Sequence, residues 1–158
     1  YLIDHDDVAL AVPMASHENG ERQFLCKRYP SVLTLFVRGF LPRNIHKLFS
    51  KRLARYEMRD LQGDQINKDI PIGSGCCMLS RSSVLTAVNG FDERYFLYFE
   101  DFDLSLRIRR HGRIAYLPTM KIVHGGGYAA RKGLSHVRMF IRSAIRFFNA
   151  YGWRWFNQ

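Results

Sequence analysis

Five acidic residues fall within GFDERYFLYFEDFDLSLRIRRHGRIAYLP, Gly90 to Pro118, in two groups: Asp92-Glu93 and Glu100-Asp101-Asp103. Between them Tyr95, Phe96, Leu97, Tyr98 and Phe99 form a segment too apolar for a solvent loop and too short for a core helix, so it should press the carboxylates against a wall. Carboxylates crowded in such a place can take up a proton, hold a cation or bind substrate hydroxyls. The plainer account is helix capping, since an acid in a first turn satisfies orphan N–H groups and meets the helix dipole, each worth ~1 kcal/mol. One acid is enough for that, whereas Glu100, Asp101 and Asp103 lie within four residues.

The elements that must position these acids follow from spacing. Leu104 and Ile108 share one face while Arg107, Arg109 and Arg110 lie elsewhere and Gly112 follows, which predicts a helix from Phe102 to His111. Val8 to Met14 is an apolar run of strand length that should be interior, closed by Pro13. Ile70 to Ser80 reads as a strand whose small residues Gly73, Ser74 and Gly75 allow close backbone approach, either by a ligand or by a packing neighbour. Around these, Gln23 to Cys26, Arg113 to Leu117 and Lys121 to His124 read as short strands. A helix is expected from Pro30 to about Gly39, a second from Asn44 to Tyr56, a short one from Arg81 to Val88 and a last one from Leu134 to Tyr151. Met58 to Asp69 is polar and reads as a loop.

His124 closes a strand and precedes Gly125-Gly126-Gly127, where missing side chains leave room for a ligand-facing loop. A lone His at a strand end serves equally as a hydrogen-bonded structural residue. Asp4-His5-Asp6 spells Asp-x-Asp but opens a turn before a strand, and it reads as a solvated turn.

Composition narrows the classes. At 158 residues with 47% apolar content the chain can bury one sizeable core. Three cysteines with Cys76 and Cys77 adjacent make neither a zinc pattern nor a disulfide framework, which suggests a reducing compartment. No apolar run reaches the ~20 residues that span a bilayer. The net charge of +10 is concentrated in Lys27 to Arg59, with Glu57 its one acid, and in Arg131 to Arg154, which has none. Such zones face polyanions: an anionic membrane leaflet, a diphosphate or nucleic acid. In the last helix Leu134, Val137, Ile141, Ala144, Ile145, Phe148, Tyr151 and Trp155 form a stripe bordered by Arg138, Arg142 and Arg146, which suits either a membrane-surface helix or one packed on the core. Lys47 to Arg55 is a second basic amphipathic candidate. A basic nucleic-acid- or membrane-binding module without catalysis is the alternative class, but no nucleic-acid motif is present and the acidic stretch would repel phosphates.

Pro71 to Gly127 resembles the C-terminal catalytic half of family-2 inverting glycosyltransferases, especially the bacterial rhamnosyltransferase-like members that build cell-surface polysaccharides. The likeness rests on a strand ending in small residues before Arg81, on Gly-Phe-Asp-Glu at Gly90 to Glu93, on Glu-Asp-x-Asp-Leu at Glu100 to Leu104, and on a late Pro followed by a strand ending in His124. The fold it implies is α/β: the C-terminal part of a GT-A domain, a small mixed sheet flanked by helices, forming one domain over 1–158 with a basic amphipathic helix at 131–158. The nucleotide-binding half, with its Asp-x-Asp, would then precede Tyr1, and the isolated fragment would have little activity. The resemblance further implies Asp101 as catalytic base, Glu100 on acceptor hydroxyls, and Asp103 as a cap or an orienting residue. It places Gly73, Ser74, Gly75, Asp92 and Glu93 at the substrates and His124 on a Mg²⁺ or Mn²⁺ ion held mainly by upstream ligands. The implied partners are a nucleotide-sugar donor and a saccharide or polyprenyl-diphosphate-linked acceptor, at the cytoplasmic face of the cell membrane. After His124 the family's usual His-x-x-Gly-x-Ser gives way to Tyr128-Ala129-Ala130.

Overall fold

The computed structural model describes residues 1–125 and 133–156. Gly126, Gly127 and the basic start of the 131–158 segment lie outside them, and so does the expectation placed on a glycine loop.

The sheet is assembled on β1, Val8–Ser16, whose apolar residues are almost all buried. A strand apolar on both faces needs packing over both faces, as an interior strand of a sheet has. Along one edge it pairs in parallel with β4, Arg113–Val123. Along the other it pairs antiparallel with β2, Arg22–Gln23, at Ala15 and Ser16, and with β3, Leu79–Ser80, at Leu10 and Ala11. Pro13 has no N–H to give a ladder, and the strand runs past it by a slip: Pro13 faces Leu117, but Met14 already faces Lys121. The two short strands expected around Tyr116 and Val123 are therefore one strand with a bulge at Pro118.

The strand expected over Ile70 to Ser80 is mostly not one. Ile72 makes an isolated bridge with Lys27, and only Leu79–Ser80 joins the sheet. The segment between turns away because its backbone is taken up by α5, Glu100–Ile108: Gly73 N–H donates to Ser105 Oγ (3.1 Å) and Gly75 N–H to Asp101 Oδ2 (2.9 Å). A Cβ on Gly73 would lie 2.6 Å from Val12 Cγ1, so glycine is what lets this segment cross β1.

The remaining helices are α1 (Val32–Phe40), α2 (Arg43–His46), α3 (Ser50–Tyr56), α4 (Ser82–Ala87) and α6 (Leu134–Tyr151). Ser31 caps α1 through Thr34 N–H. The single helix expected from Asn44 to Tyr56 is broken by a 3₁₀ turn, Lys47–Phe49, which has three residues per turn and so rotates the expected stripe. Leu53 and Tyr56 are consequently buried while Leu48 is exposed.

One core lies between the sheet and α5, with Leu10, Val12, Leu104, Ile108, Ile114 and Tyr116 at its centre. A second is aromatic: Tyr56, Tyr95, Phe99, Phe147 and Phe148, with Phe102, Phe140 and Tyr151 packed against it. It joins α6 to the segment preceding α5. The stripe read along α6 is split by this packing, because Ala144, Phe148 and Tyr151 turn to the protein whereas Leu134, Ile141 and Ile145 stay exposed. Among the described residues no helix is long and apolar enough to cross a membrane.

Candidate active site

The acids of the second group occupy the first turn of α5, and the backbone leading to them is unusual. Tyr98 and Phe99 both take left-handed conformations, φ 69° and 66°. For residues with a Cβ such a conformation costs ~1–2 kcal/mol each and persists only where the surroundings impose it. Here α6 imposes it. Phe99 lies against Phe140 and Phe147, each at a ring separation of 5.3 Å, Tyr98 Oη pairs with His136 Nδ1 (2.9 Å), and Ser143 Oγ donates to Leu97 O (2.8 Å). The apolar wall inferred from the sequence is thus an aromatic clamp that sets the direction in which α5 begins.

Asp101 points to the glycine segment. Its Oδ2 accepts from Gly75 N–H and its Oδ1 from Phe102 N–H, both at 2.9 Å. Burial raises its pKa from the usual 3.8 to about 6; the Gly75 bond works against the shift and the neighbouring Glu100 charge adds to it. A carboxylate of this kind is deprotonated at neutral pH yet basic enough to accept a proton. Glu100 Oε2 is buried and has no hydrogen-bond partner among the described residues, a state in which an acceptor oxygen is costly to leave.

Asp103 is used differently. Its N–H joins the helix ladder at Phe99 O, and its side chain caps nothing. Oδ2 takes Arg107 Nε at 2.8 Å and lies 2.6 Å from Arg107 Nη2, too poorly aligned for a second hydrogen bond but close enough to be neutralised. Oδ1 accepts from Tyr151 Oη at 2.6 Å. Asp103 is 4% exposed. The cap expected of it is replaced by a buried link from α5 to α6.

The other expected site residues fall in three places. Gly75 meets Asp101, beside Glu100, at the start of α5, and Gly73 meets Ser105 further along the helix, with Ser74 between them. Asp92 lies on the Arg107 side: it accepts from Arg94 through both oxygens and from Arg94 N–H, and these bonds hold its carboxyl down to about 2. Glu93, beside it, is exposed. His124 stands at the carboxyl edge of the parallel pair, where β1 and β4 both end, the side of such sheets on which ligands commonly bind. Gln23 Nε2 is 2.5 Å from His124 O and 2.8 Å from His17 Nδ1, so Gln23 Oε1 is left to accept from His124 Nδ1 at 2.9 Å. Nε2 of His124 then carries the lone pair, and a metal-binding His is commonly oriented by such a bond. His124 therefore fits one ligand position, while the described residues hold no group of three or more His, Cys, Asp or Glu suited to a metal ion.

One buried residue packed beside this turn had no sequence signal. Tyr56 is fully buried in the aromatic core with its hydroxyl unpartnered among the described residues. Burial raises its pKa, against the lowering effect of the Arg38 charge, with a smaller rise from Asp101. Only tertiary packing brings a residue 45 positions upstream to this turn.

No family model and no solved structure matches the chain. It is 38% identical over 81 residues, 49% of its length, to the N-acetylglucosaminyl-diphospho-decaprenol L-rhamnosyltransferase of two Mycobacterium tuberculosis strains, covering 26% of that protein. It is 38% identical over 76 residues, 47% of its length, to the rhamnosyltransferase WbbL of Escherichia coli K12, covering 29% of it. The chain thus spans between a quarter and a third of the length of these curated relatives. Over about half of its own length, the chain is related to glycosyltransferases.

Proposed function

We propose that this chain forms the acceptor side and supplies the catalytic base of an inverting glycosyltransferase of the family-2, GT-A type. The protein containing it would transfer a sugar, rhamnose in the relatives' names, from a nucleotide-activated donor to a lipid-linked saccharide. The observation that carries the reading is Asp101: a desolvated carboxylate with a pKa near neutrality, fixed by Gly75 N–H at the mouth of a glycine segment and aimed by a strained turn.

In this reaction the acceptor hydroxyl attacks the anomeric carbon from the face opposite the leaving group. An O–C bond forms, the bond to the diphosphate oxygen breaks with its electron pair, and the hydroxyl proton passes to Asp101. General-base assistance of this kind is worth ~100-fold or more. Glu100 Oε2, lacking a partner, is suited to hold a second acceptor hydroxyl, and fixing that geometry supplies part of the rate. Gly73, Ser74 and Gly75 line the approach with little bulk, while Asp92 and Glu93 would contact substrate from the preceding turn. His124, through Nε2, would complete a site for Mg²⁺ or Mn²⁺. Such an ion neutralises charge on a leaving diphosphate when bound.

The reading is tested in the full-length protein with Asp101→Asn. Turnover should fall at least ~100-fold with donor affinity kept, and the wild-type kcat/KM should rise with pH through a midpoint near 6, where Asp101 loses its proton. Turnover within a few-fold of wild type, or an acid limb that survives the substitution, removes Asp101 from the base role. The basic-module alternative is not favoured, because the curated relatives are transferases.

A further inference from the structure

A surface helix ordinarily has one apolar face, which the core covers. α6 has two. Ser143, Phe147 and Phe148 are buried, and Phe140, Ala144 and Tyr151 pack beside them. On the other side Leu134, Val137, Ile141 and Ile145 line a shallow groove with Arg138 and Arg142. Leu134 is 89% exposed, and Ile141 and Ile145 46% each. The strip continues past the helix. Trp153 Nε1 donates to Asn149 Oδ1, one turn beyond Ile145, its ring stacks on Phe148 at the edge of the buried face (5.2 Å), and Trp155 stacks on it in turn at 5.3 Å. Both tryptophans are about half exposed. From Leu134 to Tyr151 the helix is about 27 Å long, so the strip is far larger than scattered surface apolar residues.

We infer that this outer face of α6 seats on an anionic bilayer surface. Arg138 and Arg142 lie within the strip and form no ion pair among the described residues, and the sequence holds no acid from Arg131 to Arg154. Guanidinium groups among apolar side chains, with a tryptophan pair at one end, suit the headgroup boundary, where the charges meet lipid phosphates and the rings sit at the polar edge. A second copy of the chain is disfavoured as the occupant, since a two-fold contact would bring the same arginines together. Arg146, the third arginine of the series, is not part of this face: it lies over the Tyr95 ring at 5.9 Å. The inference is independent of the role of Asp101, and Asp101→Asn should bind vesicles as wild type does.

The test is flotation of the full-length protein with phosphatidylcholine vesicles, with and without phosphatidylglycerol, alongside thermal melting. Arg138→Gln/Arg142→Gln should weaken partition onto the anionic vesicles about 25-fold, roughly fivefold per charge, with the melting curve unchanged. Ile141→Asp/Ile145→Asp should reduce binding to background on both vesicle types and also melt as wild type. Unchanged partition in both double variants overturns the inference. So does a marked fall in melting temperature for Ile141→Asp/Ile145→Asp, or dissociation of an oligomer by it, because either would show this face already covered by protein.

Discussion

Asp103 lies two positions after Asp101, and the helix turns them about 200° apart, so that one faces the Gly73–Gly75 segment and the other faces α6. On the α6 side every oxygen is engaged: Arg107 and Tyr151 hold Asp103 at 2.6 to 2.8 Å, and Arg107 reaches on to Gly90 O at 2.7 Å. On the glycine side the hydrogen bonds that Asp101 accepts among the described residues come from two backbone N–H groups, Glu100 adds like charge, and Glu100 Oε2 has no partner among the described residues. The same carboxylate chemistry is therefore structural on one side of the turn and, on the other, left with a raised pKa, the state the proposed base role requires. The unpartnered Glu100 oxygen is one that a ligand could satisfy, while the Asp103 cluster on the other side ties α5 to α6.

Breaking the satisfied side should have the largest effect on stability. Asp103→Ala would leave the Arg107 charge buried without its partner and Tyr151 Oη without an acceptor, a loss of ~3–5 kcal/mol that lowers the melting temperature by roughly 10 °C. A loss of ~1 kcal/mol or less would mean that Asp103 acts as no more than a cap. Tyr151→Phe removes one hydrogen bond to a charged acceptor and should cost ~2 kcal/mol in denaturant titration, with kcat unchanged if this side is purely structural.

On the other side the sign reverses. Asp101 has a raised folded pKa, so between about 4 and 6 the native state keeps a proton that the unfolded chain has lost, and stability falls as pH rises through that window. Asp101→Asn has no such penalty. Allowing for its partial exposure, it should be more stable than wild type by ~1 kcal/mol at pH 7, and the two should melt alike below about pH 4. An Asn variant less stable at pH 7 would contradict the desolvation that shifts this group. The smallest effect is expected for Gly75→Ala. The added Cβ would lie 3.2 Å from Asp101 Cβ, tight enough to ease the Gly75 N–H away from Oδ2. Stability should change by only ~0.5 kcal/mol, while the acid limb of kcat/KM moves upward because a bond favouring the charged carboxylate has weakened.

Local pattern was enough to place β1, α1, α4 and α6, since each is an apolar run or stripe of the right period. The clustering of acids at a helix start, and the small residues of Gly73 to Gly75, were likewise visible without coordinates. What the sequence could not show is which acid has partners, because that depends on residues such as Arg107 and Tyr151 arriving from one side and Gly75 from the other. It could not show the left-handed turn at Tyr98-Phe99, since aromatic residues do not ordinarily adopt that conformation and only packing on α6 makes them do so. Ile70 to Ser80 looked like a strand because apolar and small residues suit a pleat, and tertiary hydrogen bonds to α5 took its backbone instead. On α6 the periodicity fixed a helix and its apolar positions, but how they divide between core and outer surface depends on what packs against each face. Hydrophobic spacing encodes that an element has apolar faces; only the three-dimensional arrangement decides which of them is covered.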